Sequence, residues 1–142
     1  MSNLVDIYNN NNFCQVRFNN ITVNPLLAYK IGGEPTLLYA TLLQLDKEYR
    51  ENKKLNELGE FDCSHNTLNH LCGLKRGKLE SSIKVLVDLN LITCRLSNTN
   101  RSKVKINHFS INQDSTVLDK LIEQAYIELT GYDAVRRGGL IN

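Results

Sequence analysis

The sequence predicts an α+β fold, on three observations. A leucine stripe at helical spacing opens after a Gly-Gly break, two short helical patterns follow on either side of a tight turn, and two alternating segments are then joined by a polar turn. At 142 residues and 42% hydrophobic content, the chain is sized for one domain with one or two attached elements.

Residues 1–33 read as an extension. Asn9 to Asn12 form a polar run, and FCQVRF then places Cys14, Val16 and Phe18 on one side, the pattern of a short strand. Asn19-Asn20 is a turn signal. ITVNPLLAYKIGG is open between extended chain and a helical turn, because Pro25 stops a helix from running through it. After Gly32-Gly33, Glu34-Pro35 opens the first clear helix, with proline in the first turn and an acid that suits the positive end of the dipole. Leu37, Leu38, Leu42, Leu45 and Tyr49 form its apolar stripe, and DKEYRENKK leads into the loop NELGEF.

Short elements follow. Ser64 caps a helix that carries Leu68 and Leu71 and stops at Gly73. After Leu74 a second helix carries Leu79, Ile83, Leu86 and Leu89, ending at Asn90, which tolerates a left-handed backbone. LITCRL and KVKINHFSI alternate on either side of SNTNRS, giving a hairpin. Residues 114–132 form an amphipathic helix with Ser115 as cap and Val117, Leu118, Leu121, Ile122, Ala125 and Leu129 as the apolar face. Tyr126 and Ile127 widen that face, so the helix either covers the core or pairs two copies of the chain. Residues 133–142 form a loose basic tail.

This order of elements, within residues 34–110, is that of a winged helix-turn-helix: a three-helix core plus a β-hairpin wing, here with an N-terminal extension and an added C-terminal helix. CGLKRGKLESSIKVLVDLNLI, from Cys72 to Ile92, resembles the bacterial form of that pattern without a gap, with Gly73-Leu74 as the turn. The stretch from Pro35 to Phe109 is similar to DNA-binding domains of plasmid and phage replication or regulatory proteins of Gram-positive bacteria. Three positions depart from the family pattern: Lys75 stands where serine or threonine usually caps the second helix, Asn69 where a small alanine is usual, and Asn90 where glycine is common.

Charge points the same way. Between Lys75 and Lys105 eight cations face two anions, a local charge of +6; with the chain at +2, the remainder stands at −4. At about 100° per residue the stripe of Leu79 and Ile83 turns Gly77, Ser81 and Lys84 outward, with Lys78 beside them. That face is small, polar and basic, as entry into a major groove requires. Arg76, Lys78 and Ser81 are therefore expected at base edges, and Lys75 and Lys84 at phosphates. Asn100, Arg101 and Lys103, at the hairpin tip, are expected to reach the backbone or the minor groove. The expected partner is double-stranded DNA, bound by a homodimer that acts in transcription or as an accessory of replication, with other proteins of those processes as further partners. A winged helix that only binds protein is the alternative.

Other chemistries find less support. GGEPT lacks the spacing of a phosphate-binding loop, no nucleophile elbow is present, and no catalytic role or cofactor is expected. Cys63, His65, His70 and Cys72 are zinc-type residues, but a single residue within each pair is too short for a zinc finger. The N-terminus lacks the basic and apolar runs of a secretory signal and no segment is long enough to span a bilayer, so a cytoplasmic protein with free thiols is expected.

Overall fold

A computed structural model describes residues 23–98 and 105–136, and among these it is α+β: five helices and one three-stranded antiparallel sheet. The expected N-terminal strand, the hairpin tip and the end of the basic tail lie outside the described residues. The helices are α1 (Pro25–Ile31), α2 (Gly33–Glu51), α3 (His65–Cys72), α4 (Arg76–Asp88) and α5 (Thr116–Arg136). The strands are β1 (Phe61–Ser64), β2 (Ile92–Asn98) and β3 (Lys105–Ile111). No described helix is long and apolar enough to cross a membrane.

The ambiguous segment around Pro25 is a helix, because the proline sits in its first turn. Asn24 caps it, its Oδ1 accepting from the N–H groups of Leu26 at 2.9 Å and Leu27 at 3.2 Å. A proline that blocks passage of a helix is here the residue that starts one. Gly32, at φ 100°, separates α1 from α2. α2 begins at Gly33 and runs on through the charged DKEYRE segment to Glu51. Its buried Thr36 and Thr41 hydroxyls donate to the carbonyls of Gly32 and Leu37, which leaves neither without a partner.

Between the NELGEF loop and the Ser64 cap, where the sequence marks no element, the structure has a strand, β1. It is the edge partner of β3, with Phe61 opposite Phe109 and Asp62 opposite His108. β3 is thus central, in the order β1-β3-β2, although it is the last of the described strands in the chain. The sheet's inner face carries Phe61, Phe109, Ile92 and Ile111, all buried against Leu38, Leu42 and Leu45 of α2, Leu68 and Leu71 of α3, and Leu79 and Leu86 of α4. Tyr49 stacks on Phe61 at 5.5 Å between ring centroids, and Phe61 lies 5.8 Å from Phe109.

Three helix ends follow the sequence reading. Ser64 Oγ accepts from the Thr67 N–H at 3.2 Å, Gly73 closes α3 at φ 73°, and Asn90 is left-handed at φ 61° after α4. The start of α5 differs. The Ser115 carbonyl accepts from the Asp119 N–H, while the side chain that binds the helix start is Asp114, whose Oδ1 accepts from the Thr116 N–H and hydroxyl. Those two bonds hold the Asp114 carboxyl below its ordinary range. α5 packs against α1, where Lys30 pairs with Glu128, and Ala125 is its buried residue. Of the expected apolar face, Val117, Leu118 and Leu121 pack against the core, whereas Leu129, Tyr126 and Ile127 are exposed.

The loop before β1 is built on Asn56, whose Oδ1 accepts from the N–H groups of Leu58 and Glu60 and whose amide donates to the Glu60 carboxylate. Arg95 of β2 reaches the same Glu60 oxygen at 2.8 Å. These two hydrogen bonds, Arg95 first, hold the Glu60 carboxyl below its ordinary range. A carboxyl depressed in the folded state stabilises the fold above its unfolded value, and that contribution disappears as pH falls through the folded one. Glu60→Gln is therefore expected to lower stability at pH 7 and to match the wild type in strong acid. Urea titrations of both proteins across that pH range check this.

Candidate nucleic-acid interface

The apolar stripe of α4 turns inward as the spacing requires. Leu79 and Leu86 are fully buried and Ile83 is partly buried against the core. Ser82 is buried as well, at 2% exposure, a position that spacing alone does not mark. The opposite side is open: Lys75, Arg76, Gly77, Lys78, Ser81 and Lys84 are all exposed. Five of the expected contact residues thus share one surface on one helix and its entry. The other three, Asn100, Arg101 and Lys103, lie outside the described residues.

The entry to α4 has the departure seen in the sequence. Lys75 occupies the cap position with extended backbone and no side-chain hydrogen bond to the helix. Its carbonyl accepts from the Leu79 N–H at 2.8 Å, so the helix starts regularly. A serine or threonine there would occupy one first-turn N–H; lysine leaves the N–H groups before Leu79 open to an outside anion and adds a positive charge beside them. Ser81 Oγ donates to the Lys78 carbonyl at 3.1 Å, which still leaves its oxygen able to accept.

Two carboxylates touch this surface. Glu80 pairs with Arg76 at 3.2 Å within the helix, and Glu34, at the start of α2, comes within 3.9 Å of the Lys78 ammonium. The second contact joins residues far apart in the chain and has no local sequence signal. All four side chains are about half exposed or more, a setting in which ion pairs contribute roughly 0–1 kcal/mol and yield to a stronger anion. Lys75 and Lys84 have no ion pair among the described residues.

Behind α4, a groove of about 280 Å³ separates the helix from the hairpin and is lined by His65, Glu80, Ile83, Cys94, Leu96 and Asn107. Its floor is polar and satisfied. Asn107, at 2% exposure, donates from Nδ2 to the Cys63 carbonyl at 3.4 Å and to His65 Nδ1 at 2.9 Å. Burial pushes the Cys63 thiol up to about 12 and the Cys94 thiol up to about 11, so both stay protonated at neutral pH. Among the described residues no group of three or more His, Cys, Asp or Glu side chains is gathered to hold a metal ion.

Asn69 shows what the second sequence departure costs. Its Oδ1, on α3, is buried with no hydrogen-bond partner among the described residues. A buried acceptor without a donor costs roughly 1–3 kcal/mol. Asn69→Ala, which removes that oxygen, is expected to raise stability by about 1 kcal/mol. A lower denaturant midpoint in the variant would show that the amide packs better than it solvates.

No protein-family model, curated protein or solved structure matches the chain.

Proposed function

We propose that this protein is a winged helix-turn-helix that binds double-stranded DNA, with α4 as the helix that enters the major groove. The observation that carries the proposal is the placement of Lys75, Arg76, Lys78, Ser81 and Lys84 on the exposed side of a helix whose other side is fixed in the core. The element order supports it: α2, β1, α3, α4, then the β2–β3 hairpin as the wing, with β1 paired to β3. Arg76, Lys78 and Ser81 read base edges, and Lys75, Lys84 and the open first turn of α4 take phosphates. Asn100, Arg101 and Lys103 extend the contact from the tip of the wing. The exposed Tyr126, Ile127 and Leu129 on α5 favour a homodimer on two half-sites. The biological role is that of a cytoplasmic transcriptional regulator or an accessory factor in replication or maintenance of a mobile element.

Affinity carried by phosphates falls with salt; six to ten contacts lose about 10³–10⁵ between 50 and 200 mM. Selecting fragments from the genome or element that encodes the protein tests the reading directly. A bound site at its own promoter identifies a regulator, and repeats near an origin identify a replication factor. If no fragment is retained at moderate salt, DNA is not the ligand and the fold serves as a protein-interaction module.

A further inference from the structure

The outer face of the sheet, away from the helices, brings three side chains from three strands into one line. Asp62 of β1 stands directly opposite His108 of β3, and its Oδ1 is hydrogen-bonded to His108 Nδ1. On the other side, His108 Nε2 lies 2.7 Å from the Ser97 Oγ of β2. Ser97 is opposite Ile106, so it meets His108 on the diagonal of the same face. A carboxylate can only accept, so Nδ1 carries the proton and Nε2 turns its lone pair to the serine hydroxyl. Arg95, opposite His108 and on the same face, has one bond to Glu60 and further donors free to turn. His108 is only 14% exposed, so its ring is held, whereas Asp62 is open to solvent at 61%.

We propose that Ser97, His108 and Asp62 form an acyl-transfer site for small activated esters. Ser97 is the nucleophile, His108 the general base, Asp62 the residue that positions the ring, and the Arg95 guanidinium the charge beside the oxyanion. Ser97 Oγ attacks the ester carbonyl as its proton passes to His108 Nε2. The bond to the leaving alcohol then breaks and His108 gives it that proton, leaving an ester on Ser97. Water, deprotonated by the same nitrogen, attacks this ester; the acid departs and the Ser97 hydroxyl is restored. With Asp62 exposed and Arg95 exposed among the described residues, the face suits small substrates with good leaving groups. The inference is independent of DNA binding, since none of its residues is among the DNA contacts.

The full-length protein is treated with a fluorophosphonate, in which Oγ–P formation releases fluoride, and the adduct is located by peptide mass spectrometry. Turnover of p-nitrophenyl acetate is followed in parallel. The expected adduct is on Ser97, with Ser81 and Ser110 unmodified. Ser97→Ala abolishes both signals. His108→Gln slows labelling at least about tenfold, at the low end of what a positioned general base supplies. Asp62→Ala slows it as well, and Asp62→Glu restores part of the rate, which loss of a purely structural contact would not produce. Absence of a Ser97 adduct on the wild-type protein overturns the proposal. So does an adduct that forms equally fast in a folded His108→Gln variant.

Discussion

Arg76→Ala combined with Lys78→Ala weakens binding to double-stranded DNA at least about tenfold, while the thermal transition stays within a degree or two of the wild type. Both side chains are exposed and both existing ion pairs are of the weak surface kind, so their loss leaves the core untouched. On DNA each would exchange a carboxylate neighbour for a base edge or a phosphate, and one well-placed pair supplies roughly 1–3 kcal/mol of discrimination. The expected loss is therefore larger on the selected site than on unrelated DNA. Lys84→Ala, at a phosphate, weakens both alike and lowers the salt slope by about one. Fluorescence anisotropy at several salt concentrations separates the two patterns. Unchanged affinity in the double variant would remove α4 from the interface.

Phe109→Ala has the largest expected effect on the fold, a loss of about 3–5 kcal/mol. Phe109 is fully buried in the central strand, pairs with Phe61 in register and packs near its ring. Removing it opens a cavity beneath the residue that also contacts Tyr49, so the α2-to-sheet seam loosens with it. Most domains are stable by only about 5–15 kcal/mol, so the variant is expected to be partly unfolded at 37 °C. A denaturant midpoint close to that of the wild type would mean that Tyr49 and Leu45 collapse into the space.

Much of the architecture is legible in the sequence. Leucines at three- and four-residue spacing fix α2, α3 and α4, and Ser64, Gly73 and Asn90 mark their ends because each has a backbone or hydrogen-bonding reason to be there. The alternation of β2 and β3 shows the hairpin. β1 was not legible, since four residues carry too little periodicity and its pairing partner, β3, lies beyond two intervening helices and a strand. α1 is only half legible: Pro25 bars a helix from running through it and leaves ITVNPLLAYKIGG open between extended chain and a helical turn, whereas Asn24-Pro25 is itself a capping pair that starts one. For the basic surface of α4, spacing was enough to say which side faces out. It could not supply Glu34 beside Lys78, the orphaned oxygen of Asn69 or the line from Asp62 to Ser97. Each of those depends on how distant segments cross.

The placement of β3 between two strands made before it has a consequence for how the chain is born. A nascent polypeptide that has reached only β2 holds a leucine-rich set of helices and two strands with no mutual pairing, and neither edge can close until β3 leaves the ribosome. β1 and β2 therefore gain their pairing with β3 only once it is made, and truncation before residue 105 is expected to leave a fragment with unpaired strand edges and exposed leucines, prone to aggregate.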